Sequence, residues 1–578
     1  MSIPPKSTVL VIGGGPGGSY AASVLSREGI DTVLLEAEKF PRYHIGESML
    51  PSLRHYLRFI DLDEDFVNHG FTKKVGAAFR MKPGNKEGWT NFLEGGPNNY
   101  AWNVIRSEAD ELLFRHAGKS GAKVFDGVKV TEIHFEPCTT TTTIGSSSDD
   151  IAIGRPVSAS YTRTENNSTI TGTIDFDYLV DASGRPGLLN TKYLKGNRRY
   201  SKALKNIAYW AYYQDAGRYG RGTNRENSPF FEALSDESGW AWLIPLHNGT
   251  TSVGIVRNQE IALSERKAFA GLEDYYDKAL KVAPMLSEIF YQGSTTMAKR
   301  VTPVYSASDY SYSSTTYSLP YTRIIGDAGC FIDPFFSTGV HLALTGGLAA
   351  GATIAASIKG DVSEEAAASW HSARIRQGFA RFLLVVLSAY KQMRNQEQDV
   401  LSDFWEDNFD RAFEIFRPVI QGTVEISNTI TQAEVSETIN FVAKALDPSR
   451  HNRLEENPDQ RKEISPGNNG KDDEGMAEYL TALHMVDMVQ ETDRFTMGTE
   501  VVEGRVPRLE RGALTLVLPE KNSIICMRCI YCVTGLDSCN CLVLPIWDHC
   551  TRVLMESMKA GGLSQWACSL VALTAQQL

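Results

Sequence analysis

A glycine-rich turn near the start of the chain restricts the possible folds more than any other feature. An apolar segment, residues 9–12, ends in the sequence GGGPGGS, and a helix-like segment follows. Gly13 permits a tight turn, Gly15 lets the backbone approach a pyrophosphate, and Gly18 lets the helix pack closely on the strand. The N-terminus of that helix would present free N–H groups to the phosphates.

A second apolar segment makes this pattern more specific. Residues 32–35 are typical of a strand, and Glu36 follows about 20 residues after the glycines, where a ribose-binding carboxylate is expected. An ordinary glycine turn would not need an acid there, so the sequence predicts a dinucleotide-binding βαβ unit. Arg42 could meet the adenosine or phosphate end of the cofactor, or could be a solvated loop arginine.

Charge and apolar content exclude several classes of protein. The chain has 578 residues and a net charge of -11 without basic clusters, which argues against nucleic acid as a partner. The first strand begins almost at the N-terminus, so no signal peptide is predicted. Since no apolar run appears long enough to cross a membrane, the sequence predicts a cytoplasmic protein without a transmembrane segment.

The cysteines are unevenly distributed. Cys138 and Cys330 lie in the main body, and the other seven crowd residues 526–568. Without a secretion signal these are expected to be reduced thiols. Their spacing resembles half of a zinc site but lacks two separated CxxC pairs, so no metal site is predicted.

Two segments between the βαβ unit and the middle of the chain carry candidate substrate-binding residues. Lys73 and Lys74 precede a predicted strand, residues 75–80, and adjacent lysines are most often a solvated strand end. Residues 205–260 alternate aromatic and polar side chains, which predicts an antiparallel sheet with an aromatic face. Such a face suits a flat substrate or ring cofactor, although a sheet packed on a helix would use the same residues.

A later strand and helix point to the same ligand. Residues 322–325 form a predicted strand that leads to Asp327, which can accept a hydroxyl proton from a sugar or ribityl chain. A helix is predicted from near Gly339, and its N-terminus would face back toward Asp327. From 366 to about 445, apolar residues recur at helical spacing.

Three motifs carry a resemblance to a known family. Residues 239–245, GWAWLIP, fit a WxWxIP signature, Lys74-Val75-Gly76 fits a lysine–x–glycine motif, and Ser337-Thr338-Gly339 fits a halide loop. The glycine turn with Glu36 and the late strand-end Asp327 are marks of the large flavoprotein family that includes aromatic hydroxylases. Within it, the sequence resembles the flavin-dependent halogenases, most closely the fungal enzymes that chlorinate phenolic polyketides. The resemblance runs from about residue 8 to 445, and more faintly to about 515.

The resemblance implies a fold and a domain plan. It implies an α/β (α+β) protein with an FAD-binding Rossmann-like domain of the aromatic hydroxylase type, an antiparallel substrate sheet and a C-terminal helical region. The predicted parts are an FAD domain at 1–360 with an interleaved substrate sheet at about 75–105 and 190–320, a helical region at 361–446, a linker at 447–475, and an uncertain cysteine-rich tail at 476–578.

Site residues follow from the same resemblance. Lys74 is the expected catalytic residue, since Lys73 does not fit the motif. Thr338 and Gly339 are expected to bind halide, and Trp240 and Trp242 to keep the substrate away from the flavin. Residues 181–184 are also expected against the cofactor. The predicted cofactor-binding residues are Gly13, Gly15, Gly18, Glu36, Arg42, Ser48, Arg106 and Asp327.

The implied chemistry begins with FAD and O2. Reduced FAD and O2 would give a flavin hydroperoxide, which chloride or bromide attacks to yield hypohalous acid. Lys74 would then hold the oxidant, by a hydrogen bond or as a chloramine. Only one dinucleotide fingerprint is present, so a separate flavin reductase is expected to supply the reduced flavin.

The substrate is expected to be a small phenol. Phe336 occupies the position of a glutamate found in tryptophan halogenases, and a phenol can activate its own ring once deprotonated. Both free and carrier-bound phenols are compatible with this pattern. The alternatives are an aromatic hydroxylase that uses the same flavin intermediate, or a non-catalytic flavoprotein.

Overall fold

The computed structural model describes residues 2–137, 153–165, 168–291, 298–398, 400–401, 409–424, 432–446 and 502–518. In chain order the strands are β1 Lys6–Ile12, β2 Thr32–Glu36, β3 Thr72–Lys74, β4 Gly76–Arg80, β5 Gly88–Asn91, β6 Ala101–Asn103, β7 Lys123–Asp126, β8 Val128–Phe135, β9 Pro156–Glu165, β10 Ser168–Asp181, β11 Arg198–Gln214, β12 Phe230–Ala233, β13 Gly239–Pro245, β14 Thr250–Asn258, β15 Lys299–Arg300, β16 Tyr305–Ser314, β17 Ser318–Leu319, β18 Thr322–Ile324, β19 Val506–Arg508 and β20 Thr515–Val517.

Helices alternate with these strands and then dominate the later chain. Their bounds are α1 Pro16–Arg27, α2 Ser52–Phe59, α3 Asp63–His69, α4 Arg106–Lys119, α5 Gln259–Arg266, α6 Leu272–Ala279, α7 Pro284–Tyr291, α8 Gly339–Lys359, α9 Glu364–Met393, α10 Asp410–Ile420 and α11 Gln432–Leu446.

The first sheet brings the predicted cofactor segments to one edge. Strands β18, β10, β1, β2 and β7 are neighbours in parallel, and β10 extends into an antiparallel pair with β9. Ile12 pairs with Asp181, and Asp181 with Ile324, so the strands end together. This parallel strand order confirms the predicted Rossmann-like class. In such sheets, ligands bind at the carboxyl edge.

The second sheet contains the predicted aromatic strands. Its order is β15-β11-β14-β13-β12-β4-β5, with β16 on β11, and its pairs are antiparallel except β4 with β12. The parallel β4–β12 pair joins residues about 150 positions apart and has no local signal in the sequence. A separate two-stranded pair, β3 with β6, places Lys74 opposite Ala101.

Helix α8 is the central helix of the cofactor-binding part. By length and composition it is the one described helix that could cross a membrane, which corrects the expectation that no apolar segment reaches that length. However, 83% of its apolar window is buried inside the protein, as in the core helix of a folded domain. It packs between α1 and α9, and its glycines allow a close approach to α1.

Hydrogen bonds at the two ends of α10 join the helical region to the second sheet. The Trp89 amide donates to Asp410 Oδ1 at 3.0 Å, and Gln421 Nε2 donates to Thr90 Oγ1 at 3.1 Å. These bonds hold α10 against β5, so the predicted helical region covers the strands that follow Lys74.

Part of the predicted cysteine-rich tail is described. Residues 502–518 form the β19–β20 hairpin, and the amide of Gly512 donates to Glu28 Oε1 at 2.7 Å at the end of α1. The predicted linker 447–475, Cys138 and the seven tail cysteines lie outside the described residues. Cys330 is a buried free thiol, and burial raises its pKa.

Replacing Gly347 by alanine should destabilise the fold. A Cβ there would lie 2.8 Å from the Gly17 carbonyl oxygen, so α8 would have to move away from α1. We expect the free energy of unfolding to fall by about 1–3 kcal/mol, measured by urea denaturation. The matched control is Gly378→Ala in α9, where the nearest atom, Leu342 Cδ2, is 3.7 Å away. That change should leave stability unchanged or raise it by up to about 1 kcal/mol, and equal losses would contradict the packing argument.

Candidate active site

The glycine turn between β1 and α1 fits a pyrophosphate. Gly13 has a φ of +103°, and a Cβ there would lie 2.2 Å from the Ala182 carbonyl oxygen. A Cβ at Gly18 would lie 1.9 Å from the Gly13 carbonyl oxygen, so both positions require glycine. Helix α1 begins at Pro16 with Gly15 as its N-cap, so its first N–H groups face the turn.

Glu36 and Arg42 lie beside this turn. Glu36 ends β2, and its carboxylate accepts from the Gly14 amide at 2.6 Å and the Glu38 amide at 2.9 Å. Arg42 Nε is 3.8 Å from Glu36 Oε1, and Arg42 Nη2 is 3.5 Å from the Cβ position at Gly15. The guanidinium therefore lies beside the glycine turn and is mostly buried, so both residues fit an ADP-containing cofactor.

Arg106 organises the loop that follows Arg42. Its buried guanidinium donates to both carboxylate oxygens of Asp110, at 2.8 and 3.0 Å, and to the carbonyls of Ile45 and Gly46, at 2.9 and 3.3 Å. A planar group with several donors can hold a carboxylate and a loop backbone at once. Arg106 thus fixes the segment that leads to Ser48.

Asp327 lies in the short turn after β18, at the same edge of the sheet. Burial raises its pKa to about 6, although Arg185, Arg106 and Arg198 oppose the shift. Asp181, at the end of β10, accepts from the amides of Ser183 and Leu189 and so holds the predicted 181–184 turn in place.

The two adjacent lysines have different environments. Lys74 ends β3 with only 1% of its surface exposed, and Nζ donates to Ser48 Oγ at 2.8 Å and to the Met49 carbonyl at 2.9 Å. Among the described residues no carboxylate pairs with Lys74, and burial lowers its pKa to about 7 from the usual 10.5. Lys73 is exposed, with Nζ 4.8 Å from the centroid of the Tyr100 ring.

Ser48 joins Lys74 to the predicted halide loop. The Ser337 hydroxyl donates to Ser48 Oγ at 2.9 Å, and Ser337 adopts a left-handed backbone with a φ of +59°. Apolar residues at helical spacing between positions 50 and 60 predict a helix that begins near residues 46–48. Instead, Ser48 forms an isolated bridge with Asn103, and α2 begins only at Ser52. The extended backbone lets one hydroxyl contact both the amine and the loop.

Thr338 and Gly339 lie at the N-terminus of α8. Thr338 is fully buried, and its Oγ1 has no hydrogen-bond partner among the described residues. The Cβ position at Gly339 meets no described atom within 4 Å, so there is space beside the helix start. An unpaired buried hydroxyl next to free helix N–H groups fits a small anion such as a halide.

Trp240 is connected to the loop through residues that the sequence did not identify. Its Nε1 donates to Tyr390 Oη at 3.0 Å, and that hydroxyl donates to Asp333 Oδ2 at 2.6 Å. Asp333 Oδ1 accepts from the Phe335 amide at 3.1 Å, which fixes the turn before Ser337. The Asp333-Pro334 pair marks this turn in the sequence, but Tyr390 is 57 residues away from its partner and carries no such mark.

Trp242 and Phe336 each pack against other aromatic rings. Trp242 Nε1 donates to Ser252 Oγ at 3.0 Å, and its ring lies 5.7 Å from that of Trp240. Phe336 is buried, with its ring 5.3 Å from Phe79 and 6.4 Å from Phe413. The position that holds a glutamate in tryptophan halogenases therefore forms part of an aromatic cluster.

A second polar network was also missed. Tyr212 Oη donates to the buried Glu47 at 2.6 Å and contacts Tyr43 Oη at 3.1 Å. Burial raises the pKa of Glu47, so its carboxyl stays protonated to a higher pH than that of an exposed glutamate. Glu47 precedes Ser48 in the chain, and its carboxyl contacts Tyr212.

These features together define a dinucleotide-binding enzyme. At one edge of the sheet lie the glycine turn, Glu36 at the end of β2 and the N-termini of α1 and α8. A family model described as tryptophan halogenase matches residues 8–94 and 93–415. A flavin-dependent halogenase of Acremonium egyptiacum is 54% identical over 532 residues, covering 89% of this chain and 93% of that protein. A sulochrin halogenase of Aspergillus terreus is 47% identical over 535 residues, covering 89% and 94%.

A solved structure agrees with these sequence relatives. The myxobacterial chondrochloren halogenase CndH, described as a variant of the FAD-dependent halogenases, matches with a TM-score of 0.59 and 28% identity, covering 76% of this chain and 98% of that chain. The chain therefore belongs to the tryptophan halogenase family and is an FAD-dependent halogenase, which confirms the resemblance found in the sequence.

Replacing Arg106 by lysine should weaken FAD binding. Lysine keeps the charge but cannot bond both carboxylate oxygens of Asp110 and two loop carbonyls together. We expect the Kd for FAD to rise by about 10-fold, equivalent to about 1.4 kcal/mol, in a flavin fluorescence titration. Arg115→Lys on the same helix is the control, because its guanidinium is exposed and bonds Glu111 and Asp126 at the surface. An unchanged Kd for Arg106→Lys would refute the assigned role.

Proposed function

We propose that this enzyme chlorinates an electron-rich phenolic ring and that Lys74 delivers the oxidised halogen. The observation that carries the proposal is the pair of contacts at Ser48, whose hydroxyl bonds both Lys74 Nζ, at 2.8 Å, and Ser337 of the halide loop, at 2.9 Å. A buried amine is thus one side chain away from the place where an anion would bind. Bromide could replace chloride at the same loop.

The cofactor site supports the first half of the reaction. Gly13, Gly15, Gly18, Glu36, Arg42, Arg106 and Asp327 would hold FAD along the carboxyl edge of the first sheet, and Ser48 contacts the halide loop there. Bound in reduced form, FAD would supply with O2 the oxidising power that turns chloride into hypochlorous acid. Because the sequence has one dinucleotide fingerprint, we infer that a separate flavin reductase delivers the reduced flavin. A cytoplasmic location remains a prediction.

Thr338 and Gly339 are proposed to hold the chloride. The Thr338 hydroxyl can donate to an anion at no cost to another bond, since it has no partner among the described residues. The first N–H groups of α8 add two donors and the positive end of the helix dipole. A halide held there would lie beside Ser337, whose hydroxyl is connected to Lys74 through the Ser48 hydroxyl.

Lys74 is proposed to take the chlorine as a chloramine. The neutral amine attacks chlorine in hypochlorous acid, an N–Cl bond replaces the O–Cl bond, and an amine proton leaves with hydroxide as water. A ring carbon then bonds to the chlorine as the N–Cl bond breaks, and the proton lost from that carbon returns to the nitrogen and restores the amine. A pKa of about 7 leaves about half of the amine neutral at neutral pH, which an exposed lysine would not do.

The aromatic cluster around Phe336 favours a phenol. No carboxylate stands at this position to assist an unactivated ring, so the substrate must supply its own electron density. A phenol does so through its hydroxyl oxygen, most strongly as phenolate. Trp240 and Trp242, anchored by their N–H groups, are proposed to separate this substrate from the flavin.

Lys74→Ala should stop chlorination while leaving halide oxidation intact. We expect the chlorination rate to fall by at least about 100-fold, measured as chlorinated phenol by mass spectrometry, because no amine remains to carry the chlorine. Hypochlorous acid should still form and be caught by an added scavenger. Lys73→Ala is the control and should stay within about 3-fold of the wild type, since its ammonium is exposed. Equal rates in the two variants would reject the proposal, and hydroxylated product surviving in Lys74→Ala would identify the hydroxylase activity.

The chlorination rate should rise with pH through about 7. The lowered pKa of Lys74 means that the protonated amine dominates below this value and the neutral amine above it. Single-turnover chlorination should therefore show an inflection near pH 7, while hypochlorous acid caught by a scavenger should not. A flat profile between about pH 6 and 8 would contradict a neutral-amine step.

Thr338→Val should weaken halide binding without weakening FAD binding. Valine has the shape of threonine but lacks the hydroxyl, and a hydrogen bond to a charged group contributes about 1.5–3 kcal/mol. The KM for chloride should rise by about 10-fold or more, in steady-state assays at saturating phenol. Thr338→Ser, which keeps the hydroxyl, should bind chloride nearly as the wild type does. A wild-type KM in Thr338→Val would exclude this hydroxyl as a halide donor.

A further inference from the structure

Two histidines and a glutamate from three distant segments meet near the protein surface. His69 Nε2 is 2.6 Å from Glu108 Oε2, and His247 Nε2 is 3.2 Å from the same oxygen. All three ligand atoms lie within 4.8 Å of one another, and the side chains are about one quarter exposed on average. Among the described residues, this is the group of histidine, cysteine and acidic side chains that could hold a metal ion.

We propose that His69, Glu108 and His247 form a binding site for a zinc-class divalent cation. Two imidazoles and one carboxylate are a donor set that zinc uses, and they leave a fourth position for water. Two imidazoles favour zinc over magnesium or calcium, which prefer oxygen ligands. No motif predicts this site, because its three residues share no local spacing in the sequence.

The ligand spacing is compatible with a tetrahedral ion. Ligands at about 2.0–2.1 Å from zinc are about 3.3 Å apart. The His247–Glu108 distance of 3.2 Å already fits, and the His69–Glu108 distance of 2.6 Å must widen by less than 1 Å. Since His69 and Glu108 are 29% and 36% exposed, a small side-chain rotation provides this movement.

Phe71 holds the two imidazoles in place. Its ring lies 4.2 Å from that of His69 and 5.3 Å from that of His247, at a right angle to the latter. Aromatic contacts of this kind restrict the rotation of both rings. The site is therefore partly preorganised before an ion binds.

The three ligands connect segments that lead into the proposed active site. His69 ends α3, five positions before Lys74, Glu108 lies in the first turn of α4, two positions after Arg106, and His247 lies in the turn between β13 and β14. A bound ion would cross-link these segments and stabilise their arrangement. A cleft of about 390 Å³ that includes His247 is lined by the exposed Lys73 and not by Lys74, so the ion would lie outside the proposed Lys74 site.

Zinc content and thermal stability test this site in the full-length protein. Wild type and His247→Ala are equilibrated with zinc alone, desalted and analysed by inductively coupled plasma mass spectrometry. We expect the variant to hold one equivalent less zinc, and zinc to raise the Tm of the wild type by roughly 2 °C or more without raising that of the variant. Zinc bound by the cysteine-rich tail cancels in the difference, because both proteins carry the tail.

The control variants separate a metal site from a hydrogen-bonded cluster. His134→Ala on β8 removes a histidine whose Nε2 bonds the Ser160 hydroxyl on β9, so it should keep the full zinc content. Glu108→Gln keeps the shape and a hydrogen-bond acceptor but removes the anionic ligand, and should weaken zinc binding by about 10-fold or more. Equal zinc contents in wild type, His247→Ala and Glu108→Gln would overturn the proposal. Loss of the same equivalent in His134→Ala would also overturn it.

Discussion

The withdrawal of one amino group from water is the interaction on which the proposed chemistry depends. Lys74 is buried, and in the described part of the chain it has no carboxylate partner; its Nζ donates to a hydroxyl and to a carbonyl oxygen. Both acceptors can bond an ammonium, but neither compensates its lost hydration, so the neutral amine becomes accessible near pH 7. The fold keeps Lys74 away from water because β3 pairs with β6, whose Ala101 and Trp102 are fully buried.

The predicted halide loop lies at the edge of the parallel sheet where its strands end. The strands that end at Ile12, Glu36, Asp181 and Ile324 form one edge, and α8 starts close to it. Arg106 ties the Ile45–Gly46 backbone to this edge, and the next residues bring Ser48 to Ser337 and Lys74. The same short segment, residues 45–49, therefore contacts both Arg106 of the proposed cofactor site and the Lys74 amine.

The sequence predicted the features that depend on local spacing. The structure and the comparisons confirm the βαβ unit, the FAD class and the halogenase family. They could be predicted because the glycines of the turn and the family motifs each lie within a short stretch of sequence. The Tyr390–Asp333 bond, the parallel β4–β12 pair and the His69–Glu108–His247 cluster could not be predicted, because each joins residues that only the tertiary fold brings together. The sequence predicts Ser48 as a cofactor residue, but its contacts with the Lys74 amine and the Ser337 hydroxyl depend on an extended backbone where the apolar spacing predicts a helix.

The ionisation of Lys74 in the folded protein tests the central claim most directly. Protein labelled with ¹³C at lysine Cε would be titrated by NMR, and the Lys74 signal assigned from its loss in Lys74→Arg. The account predicts a chemical-shift midpoint near pH 7, well below that of Lys73. A midpoint for Lys74 near the usual 10.5 would show that the amine stays charged and would contradict the account.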